Sequence, residues 1–143
     1  MKYLRLLALL MIAAAVTGCA SGIRYTEFQP KMPGPSQDMG RIFLYRPSAL
    51  GAALRPDVML NNEKIGEAIA HGFFYVDRKP GEYQVVTSTE VERKLSFVLD
   101  KGQTRYVRFS VSFGFFVGHV YGELVEPDVA MKEIEDCKYT GTP

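Results

Sequence analysis

The clearest pattern in the chain is an alternation of apolar and polar residues near position 110. Val107, Phe109, Val111 and Phe113 would face one way, and the residues between them would face the other. A period of two is typical of a β-strand with one buried face. We therefore expect a strand here whose four apolar side chains point into a core.

Shorter segments rich in β-branched and aromatic residues recur along the chain, with turn residues between them. They cover residues 41–46, 57–60, 65–68, 72–77, 83–89 and 95–99, and the apolar tract 114–122 could continue through Leu124 and Val125 as a last strand. Residues 57–68 are typical of a hairpin around Asn61-Asn62, because asparagine tolerates a positive φ. About seven short strands without βαβ alternation predict an all-β fold, an antiparallel β-sandwich.

The pattern becomes helical only after Pro127. Ala130, Ile134 and Cys137 are spaced to share one helix face, and Asp128 fits the N-cap position. We expect a short C-terminal helix, which places the end of a domain over residues 41–137. Residues 138–143 would then be a tail.

The N-terminus has a basic start followed by an unbroken apolar run. Lys2 and Arg5 precede residues 6–16, which contain no charge. At ~1.5 Å per helical residue this run covers ~17 Å, too short for the ~30 Å core of a bilayer. Its length and order suit a secretory signal peptide. A buried N-terminal helix is one alternative, and cleavage without lipidation at small residues within 13–15 is another.

The residues that follow, Val16-Thr17-Gly18-Cys19, resemble the lipobox of bacterial lipoprotein precursors. The resemblance implies removal of residues 1–18 by cleavage between Gly18 and Cys19. It also implies covalent lipid, including palmitate, on Cys19, and so a membrane anchor in the cell envelope. Ala20 and Ser21 after the cysteine favour sorting to the outer membrane, with the domain in the periplasm. We expect no cofactor other than this lipid.

Between the cysteine and the first strand, residues 19–40 predict a flexible, proline-rich tether. Pro30, Pro33 and Pro35 lie here with Gly34, and proline disfavours both helix interiors and central strands. A loose alternation over residues 23–28 leaves room for a short edge strand.

Charge and cysteine content narrow the classes of function. The chain has 17 basic and 16 acidic residues, a near-neutral balance that gives no electrostatic footprint for nucleic acid. With Cys19 lipidated, Cys137 would be a lone thiol. We interpret it as a small apolar side chain packed under the C-terminal segment, and an intermolecular disulfide is the alternative.

Several stretches, taken in order, resemble one family of proteins. They are residues 41–47, with the sequence RIFLYRP, then 58–66, 72–77 and 80–83. The family is the set of bacterial lipoproteins that carry domain of unknown function number 2846, similar in build to the PEGA type of surface β-domain. The resemblance covers residues 40–136 and implies a small β-sandwich on the envelope. It carries over no catalytic residue.

Candidate chemistry is sparse. His71 and His119 are the only histidines, and neither has a marked partner for nucleophilic catalysis or metal binding. The chain lacks a G-x-S-x-G elbow, a P-loop and a dinucleotide fingerprint. We therefore expect no enzymatic activity, no catalytic residue and no metal. An envelope hydrolase is the weakest alternative, and it would need a cleft with a histidine beside a carboxylate.

One apolar, glycine-broken stretch, residues 114–121, is a candidate interaction surface. Phe115 and Phe116 are adjacent and cannot both face the core of a regular strand, and Tyr121 follows in the same tract. They could fill the core at a sheet corner, or they could meet a partner or the lipid interface.

Together these patterns favour a non-enzymatic envelope module with an interaction or structural role and an envelope protein as its partner. The alternative is a module that binds peptidoglycan or another glycan. Such a module would need an exposed aromatic side chain beside carboxylate or amide groups.

Overall fold

The computed structural model describes Met1 and residues 3–5, 19–114 and 117–141. Nine strands lie within these described residues and form two sheets. Their bounds are β1 Gly40–Arg46, β2 Asp57–Leu60, β3 Glu63–Glu67, β4 Gly72–Arg78, β5 Gly81–Thr87, β6 Glu90–Leu99, β7 Thr104–Phe113, β8 Gly118–Val125 and β9 Lys138–Tyr139. The helices are α1 at Tyr25–Phe28, a 3-10 turn at Gln29–Lys31 and α2 at Pro127–Ile134.

The two sheets confirm the predicted all-β sandwich with a short C-terminal helix. One has the strand order β8-β7-β1-β4-β9 and the other β3-β2-β5-β6. The pairing is not antiparallel throughout, because β1 pairs with β7 and β4 pairs with β9 in parallel. β1 and β7 can run parallel without a helical crossover because the chain visits the second sheet between them.

The hairpin predicted around Asn61-Asn62 is confirmed as the antiparallel pair β2–β3. Asn61 has φ 47° and Asn62 φ 69°, and two consecutive positive values are those of a type I′ turn. Asparagine adopts this conformation more easily than most residues, so the sequence specifies the turn without the more common glycine.

The central strand of the first sheet, β1, is buried on both faces. Ile42 and Leu44 of β1 face the second sheet within a largely aliphatic cluster, the inner core. Phe43 and Tyr45 face the other way, into a mainly aromatic cluster that we call the outer layer. Because both faces of β1 are covered, every residue of this strand is buried.

The helix α2 covers part of the outer layer. Ala130 and Ile134 are buried on one face of the helix, as predicted, whereas Cys137 is buried beyond the end of the helix at Ile134. The predicted cap is wrong, because the helix begins at Pro127, and Asp128 lies in its first turn. There its carboxylate complements the helix dipole instead of capping the end.

Glu133 on α2 joins the helix to the sheet. The hydroxyl of Tyr45 donates to its Oε2 at 2.6 Å, and Nη1 of Arg108 donates to its Oε1 at 2.8 Å. Burial and the hydrogen bond to Glu133 raise the pKa of Tyr45 well above its ordinary range. The helix, β1 and β7 are therefore connected by one small polar network beside the aromatic rings.

Residues 19–31 do not form the predicted flexible tether. Ala20 and Tyr25 are buried, and the amide of Tyr25 donates to the carbonyl of Cys137 at 2.9 Å. The helix α1 takes the place of the expected edge strand. Residues 32–39 contain neither helix nor strand, so the linker is shorter than its composition suggests.

The predicted C-terminal tail also begins later than residue 138. Lys138–Tyr139 form β9 beside β4, and the Tyr139 ring stacks on Phe28 with centroids 4.3 Å apart. The amide of Tyr139 donates to the carbonyl of Ile23 at 2.8 Å. The N-terminal and C-terminal segments therefore close the outer layer together.

Candidate functional site

The register of β1 defines the two ends of the sandwich. Gly40 pairs with Arg78 at one end of the strand, and Arg46 pairs with Gly72 at the other. An isolated parallel bridge joins Cys19 to Ala70, two residues before Gly72. We call the end marked by Arg46 the Cys19 end and the opposite one the distal end.

A fully buried arginine shapes the loop at the Cys19 end. Arg46 is 0% exposed; its Nη1 donates to the carbonyls of Leu54 (2.7 Å) and Ala68 (2.9 Å). Its Nη2 donates to the carbonyls of Leu50 (2.6 Å) and Gly51 (2.8 Å). Burial lowers the pKa of Arg46. The guanidinium thus bonds three backbone carbonyls of the loop 47–56 and the carbonyl of Ala68.

The sequence reasoning missed Arg46 as a structural residue. An arginine at a strand end before a proline is usually solvent-exposed, and nothing in the local pattern of residues 41–47 marks its burial. The available signal was indirect. The loop that follows is rich in small residues, and such a loop leaves backbone carbonyls free to accept hydrogen bonds from a buried donor.

Cys19 lies at this end with an exposed, free thiol. The next residue is already part of the fold, because the amide of Ala20 donates to the carbonyl of Ala70 at 2.9 Å. An open pocket beside Cys19 is lined by residues 20–22, Arg55, Ile69, Tyr139 and Thr140. Gly18, on the other side of the predicted cleavage point, and residues 6–17 lie outside the described residues.

The tip of the β7–β8 hairpin projects from the same end. Phe115 and Phe116, the predicted interaction residues, lie outside the described residues. Of their neighbours, Phe113 is 60% and Val117 58% exposed. Phe113 departs from the predicted inward face because β7 continues past the last pair it makes with β1, which is Tyr45 with Arg108.

The loop held by Arg46 packs against this tip. The Cδ1 atom of Leu54 lies so close to Gly118 that an added Cβ there would overlap it. Leu50 in the same loop is 55% exposed. Leu50, Phe113 and Val117 are therefore exposed apolar side chains on two adjoining segments, and we call them the apolar tip. Tyr121, the third predicted interaction residue, is half-buried on β8 under the guanidinium of Arg93, 4.7 Å from the ring centroid.

A cleft opens between the tip and the β5–β6 turn. Its lining is Thr89, Glu90, Arg93, Ser112, Phe113, Gly114 and His119. Nδ1 of His119 lies 2.9 Å from the carbonyl oxygen of Thr89 and 3.6 Å from Oε2 of Glu90. The cleft meets the condition set for a hydrolase, a histidine beside a carboxylate, and that set for a glycan site, an exposed aromatic side chain beside a carboxylate.

A family model described as "Protein of unknown function (DUF2846)" matches residues 36–120. The chain belongs to the DUF2846 family. An "Uncharacterized protein" of Haemophilus influenzae is 30% identical over 128 residues, which are 89% of this chain and 76% of that protein. No solved structure matches the chain.

The DUF2846 match covers β1 to the first residues of β8, and so it includes Arg46 and all seven residues that line the cleft. Cys19, α1 and α2 lie outside it. The family resemblance seen in the sequence motifs is confirmed at the level of this domain.

The other candidate residues of the DUF2846 chain have structural roles. His71 sits in a turn at φ 53°, and its carbonyl accepts the amide of Lys138 at 2.8 Å. Cys137 is free and buried, in keeping with its interpretation as a packed apolar side chain. Burial raises the pKa of the Cys137 thiol to about 12, so the thiol is protonated at neutral pH.

Neither a metal cluster nor a membrane-spanning helix is found within the described residues. Among them, no group of three or more histidine, cysteine, aspartate or glutamate side chains could hold a metal ion. Within the same part of the chain, no helix is long and apolar enough to cross a membrane.

Proposed function

We propose that this DUF2846 protein is a lipid-anchored component of the bacterial envelope whose sandwich is a non-enzymatic interaction module. The observation that carries the proposal is the position of Cys19. Its thiol is exposed and free at the point where the chain starts to pack on the domain. Modification of this sulfur would require no rearrangement of the fold.

The sequence before Cys19 supplies the second support for anchoring. Residues 16–19 resemble a lipobox and follow a signal-like apolar run. A single acyl chain binds membranes only marginally, whereas two or more hold a protein stably. The lipobox resemblance implies at least two. Sorting to the outer membrane, with the domain in the periplasm, is part of the same proposal and is motivated by Ala20 and Ser21.

The contacts of His119 favour a binding role over catalysis. Its Nδ1 lies against the carbonyl of Thr89, and a backbone carbonyl cannot act as a nucleophile. Ser112 is its cross-strand neighbour, but among the described residues no hydrogen bond joins this hydroxyl to the imidazole. Nucleophilic catalysis requires that pairing.

Lipidation is tested by labelling cells that produce the full chain with an alkyne-tagged palmitate analogue, followed by fractionation. We expect label on the wild-type protein in the membrane fraction, and in Cys19→Ala both loss of the label and release from the membrane fraction. Cys137→Ala is the matched control, because it removes the other cysteine and should keep the label. A Cys19→Ala protein that retains both label and membrane association would overturn the proposal.

The interaction role is tested by cross-linking in intact cells, with mass spectrometry of the attached species. One protein recovered reproducibly with the wild type is the expected result. Its loss in a variant with Phe113→Ser and Val117→Ser would assign the contact to the Cys19 end. Recovery of no protein above background would contradict the module's role as a protein-binding unit.

A glycan-binding module is the second candidate function, and the cleft favours it. Phe113 presents an exposed ring beside Glu90 and Arg93, and aromatic rings with charged neighbours suit the mixed apolar and polar faces of sugars. Binding to purified sacculi that drops in Phe113→Ala would support this candidate. Val98→Ala, an exposed apolar position near the distal end, is the control and should bind as wild type.

A further inference from the structure

Cys19 and the apolar tip lie beyond the same end of the first sheet. Phe113 is five residues past Arg108, the last residue of β7 that pairs with β1, a distance of ~17 Å along a strand. Ala70, the bridge partner of Cys19, lies two residues beyond Gly72 in the same direction, or at most ~7 Å. Because β4 and β7 both pair with β1, the register of β1 places the cysteine and the apolar tip beyond the same end of this strand.

The N-terminal segment packs on the domain from the residue directly after Cys19, so no flexible linker separates the cysteine from the sandwich. The amide of Ala20 donates to Ala70, and a Cβ added to Gly22 would overlap the carbonyl oxygen of Tyr139. One residue of extended chain reaches only ~3.5 Å. A membrane that holds the lipid of Cys19 must then lie close against this end of the sandwich.

The side chains at the Cys19 end suit such a surface. The three apolar side chains of the tip come from two segments and are each more than half exposed. Apolar area of this kind gains about 25 cal/mol per Å² when it leaves water. Arg55, near Cys19, is about half exposed and offers a cation to anionic headgroups, although it shares its charge with Glu67 at 3.6 Å.

The turns at the distal end differ from the apolar tip. They carry an exposed ion pair, Lys101 with Asp38 at 2.6 Å, and the exposed amides of Asn61 and Asn62. Charged and amide groups of this kind favour water over a lipid interface. The difference between the ends gives the domain a defined orientation.

We propose that Leu50, Phe113 and Val117 insert into the surface of the membrane in which Cys19 is anchored, so that the sandwich stands on the bilayer with its Cys19 end down. This inference rests on the proposed lipid anchor. Its occupant is a lipid surface, because the anchor brings that surface to the tip whatever else the protein binds.

The chain contains no tryptophan, so one introduced indole reports on one position. The test uses the full chain, purified from membranes in mild detergent and reconstituted into vesicles of phosphatidylethanolamine and phosphatidylglycerol. Phe113→Trp places the reporter in the tip, and Val98→Trp places it near the distal end as the matched control. Brominated lipids then quench any indole that reaches the acyl chains.

We expect about a twofold loss of emission for Phe113→Trp, because an interfacial side chain lies ~5–10 Å into the headgroup and acyl boundary. Val98→Trp should keep its emission. If the protein floats with the vesicles but neither indole is quenched, the orientation is wrong while the anchor stands. If the protein does not float with the vesicles, the anchor itself is wrong.

A third outcome separates lipid from glycan. Emission of Phe113→Trp that is insensitive to brominated lipid but shifts when soluble muropeptides are added would overturn the lipid contact and assign the tip to the glycan cleft. Quenching by lipid that muropeptides leave unchanged would support the proposal.

Discussion

The two arginines of β1 occupy opposite ends of one strand and are buried in different ways. Arg41, at the distal end, donates from Nε and Nη2 to both carboxylate oxygens of Asp77 at 2.7 and 2.8 Å. Arg46, at the Cys19 end, donates to four backbone carbonyls. Hydrogen bonding to Asp77 raises the pKa of Arg41, whereas burial lowers that of Arg46.

The two arginines therefore stabilise different kinds of structure at the two ends of β1. The Arg41–Asp77 pair joins cross-strand partners on β1 and β4, so it reinforces a sheet that hydrogen bonds already define. Arg46 instead holds an irregular loop, residues 47–56, which has no ladder of its own. Leu50 of the apolar tip belongs to this loop, and Leu54 of the loop packs against Gly118 at the base of the β7–β8 hairpin. The surface proposed to meet the membrane therefore depends on one buried cation, Arg46.

The largest effect is expected from Arg46→Met. The change leaves four backbone carbonyls without their hydrogen-bond donor. It also removes the desolvation cost of a buried cation, but this gain in stability is smaller than the loss from the four unpaired carbonyls. We expect a loss of about 2–4 kcal/mol in the free energy of unfolding. Urea titration followed by far-UV circular dichroism measures it. A variant as stable as wild type would show that the loop holds its shape without the guanidinium.

Arg41→Met is expected to cost less, about 1–3 kcal/mol, because the partner carboxylate of Asp77 is partly exposed and can turn to water. The double variant Arg41→Met with Asp77→Leu removes both charges and should be more stable than Arg41→Met alone. No such rescue is available to Arg46, since within the described residues no carboxylate lies at ion-pair distance from it. Urea titration of Arg46→Met, Arg41→Met and the double variant compares the free energies of unfolding and so distinguishes the two ends.

The sequence predicted the strands well and the closure of the outer layer poorly. The period of two in residues 107–111 and the asparagine turn at 61–62 are local signals, and the structure bears out both. The bridge of Cys19 with Ala70 and the two-residue strand β9 are too short to have a period. Their positions depend on rings far apart in the chain, such as Phe28 and Tyr139, so composition alone predicted a linker and a tail.

The same limit applies to the candidate site. The adjacent aromatics Phe115 and Phe116 marked residues 114–121 as a candidate surface, because neighbouring side chains cannot share one face of a strand. The cleft was not predictable, since His119 meets Glu90 and Thr89 across two sheets. Spacing along the chain carries no information about such a contact.

Gly22→Ala tests the seam that belongs to the Cys19 end alone. The new methyl group would overlap the carbonyl oxygen of Tyr139, so residues 19–24 should lift away from β9. We expect a loss of about 1–2 kcal/mol and faster hydrogen exchange at the amides of Tyr25 and Tyr139. Gly34→Ala, where an added Cβ meets nothing within 4 Å, is the control. Equal exchange in both variants would mean that the segment packs without this close approach.

The smallest effect concerns Cys137, whose carbonyl holds the amide of Tyr25 in the same seam. Burial keeps the thiol protonated up to a pKa of about 12, against 9.0 for an unperturbed thiol. Above pH 9 the unfolded chain therefore binds fewer protons than the folded one, and stability falls as the pH rises. By pH 10 the loss should reach about 1 kcal/mol. Cys137→Ala lacks this thiol and should show a flatter decline between pH 8 and 10, since the raised pKa values of the buried tyrosines affect both proteins alike. If stability falls equally steeply with pH in wild type and Cys137→Ala, the Cys137 thiol is in contact with water. The seam that holds the N-terminal segment would then be open to water as well.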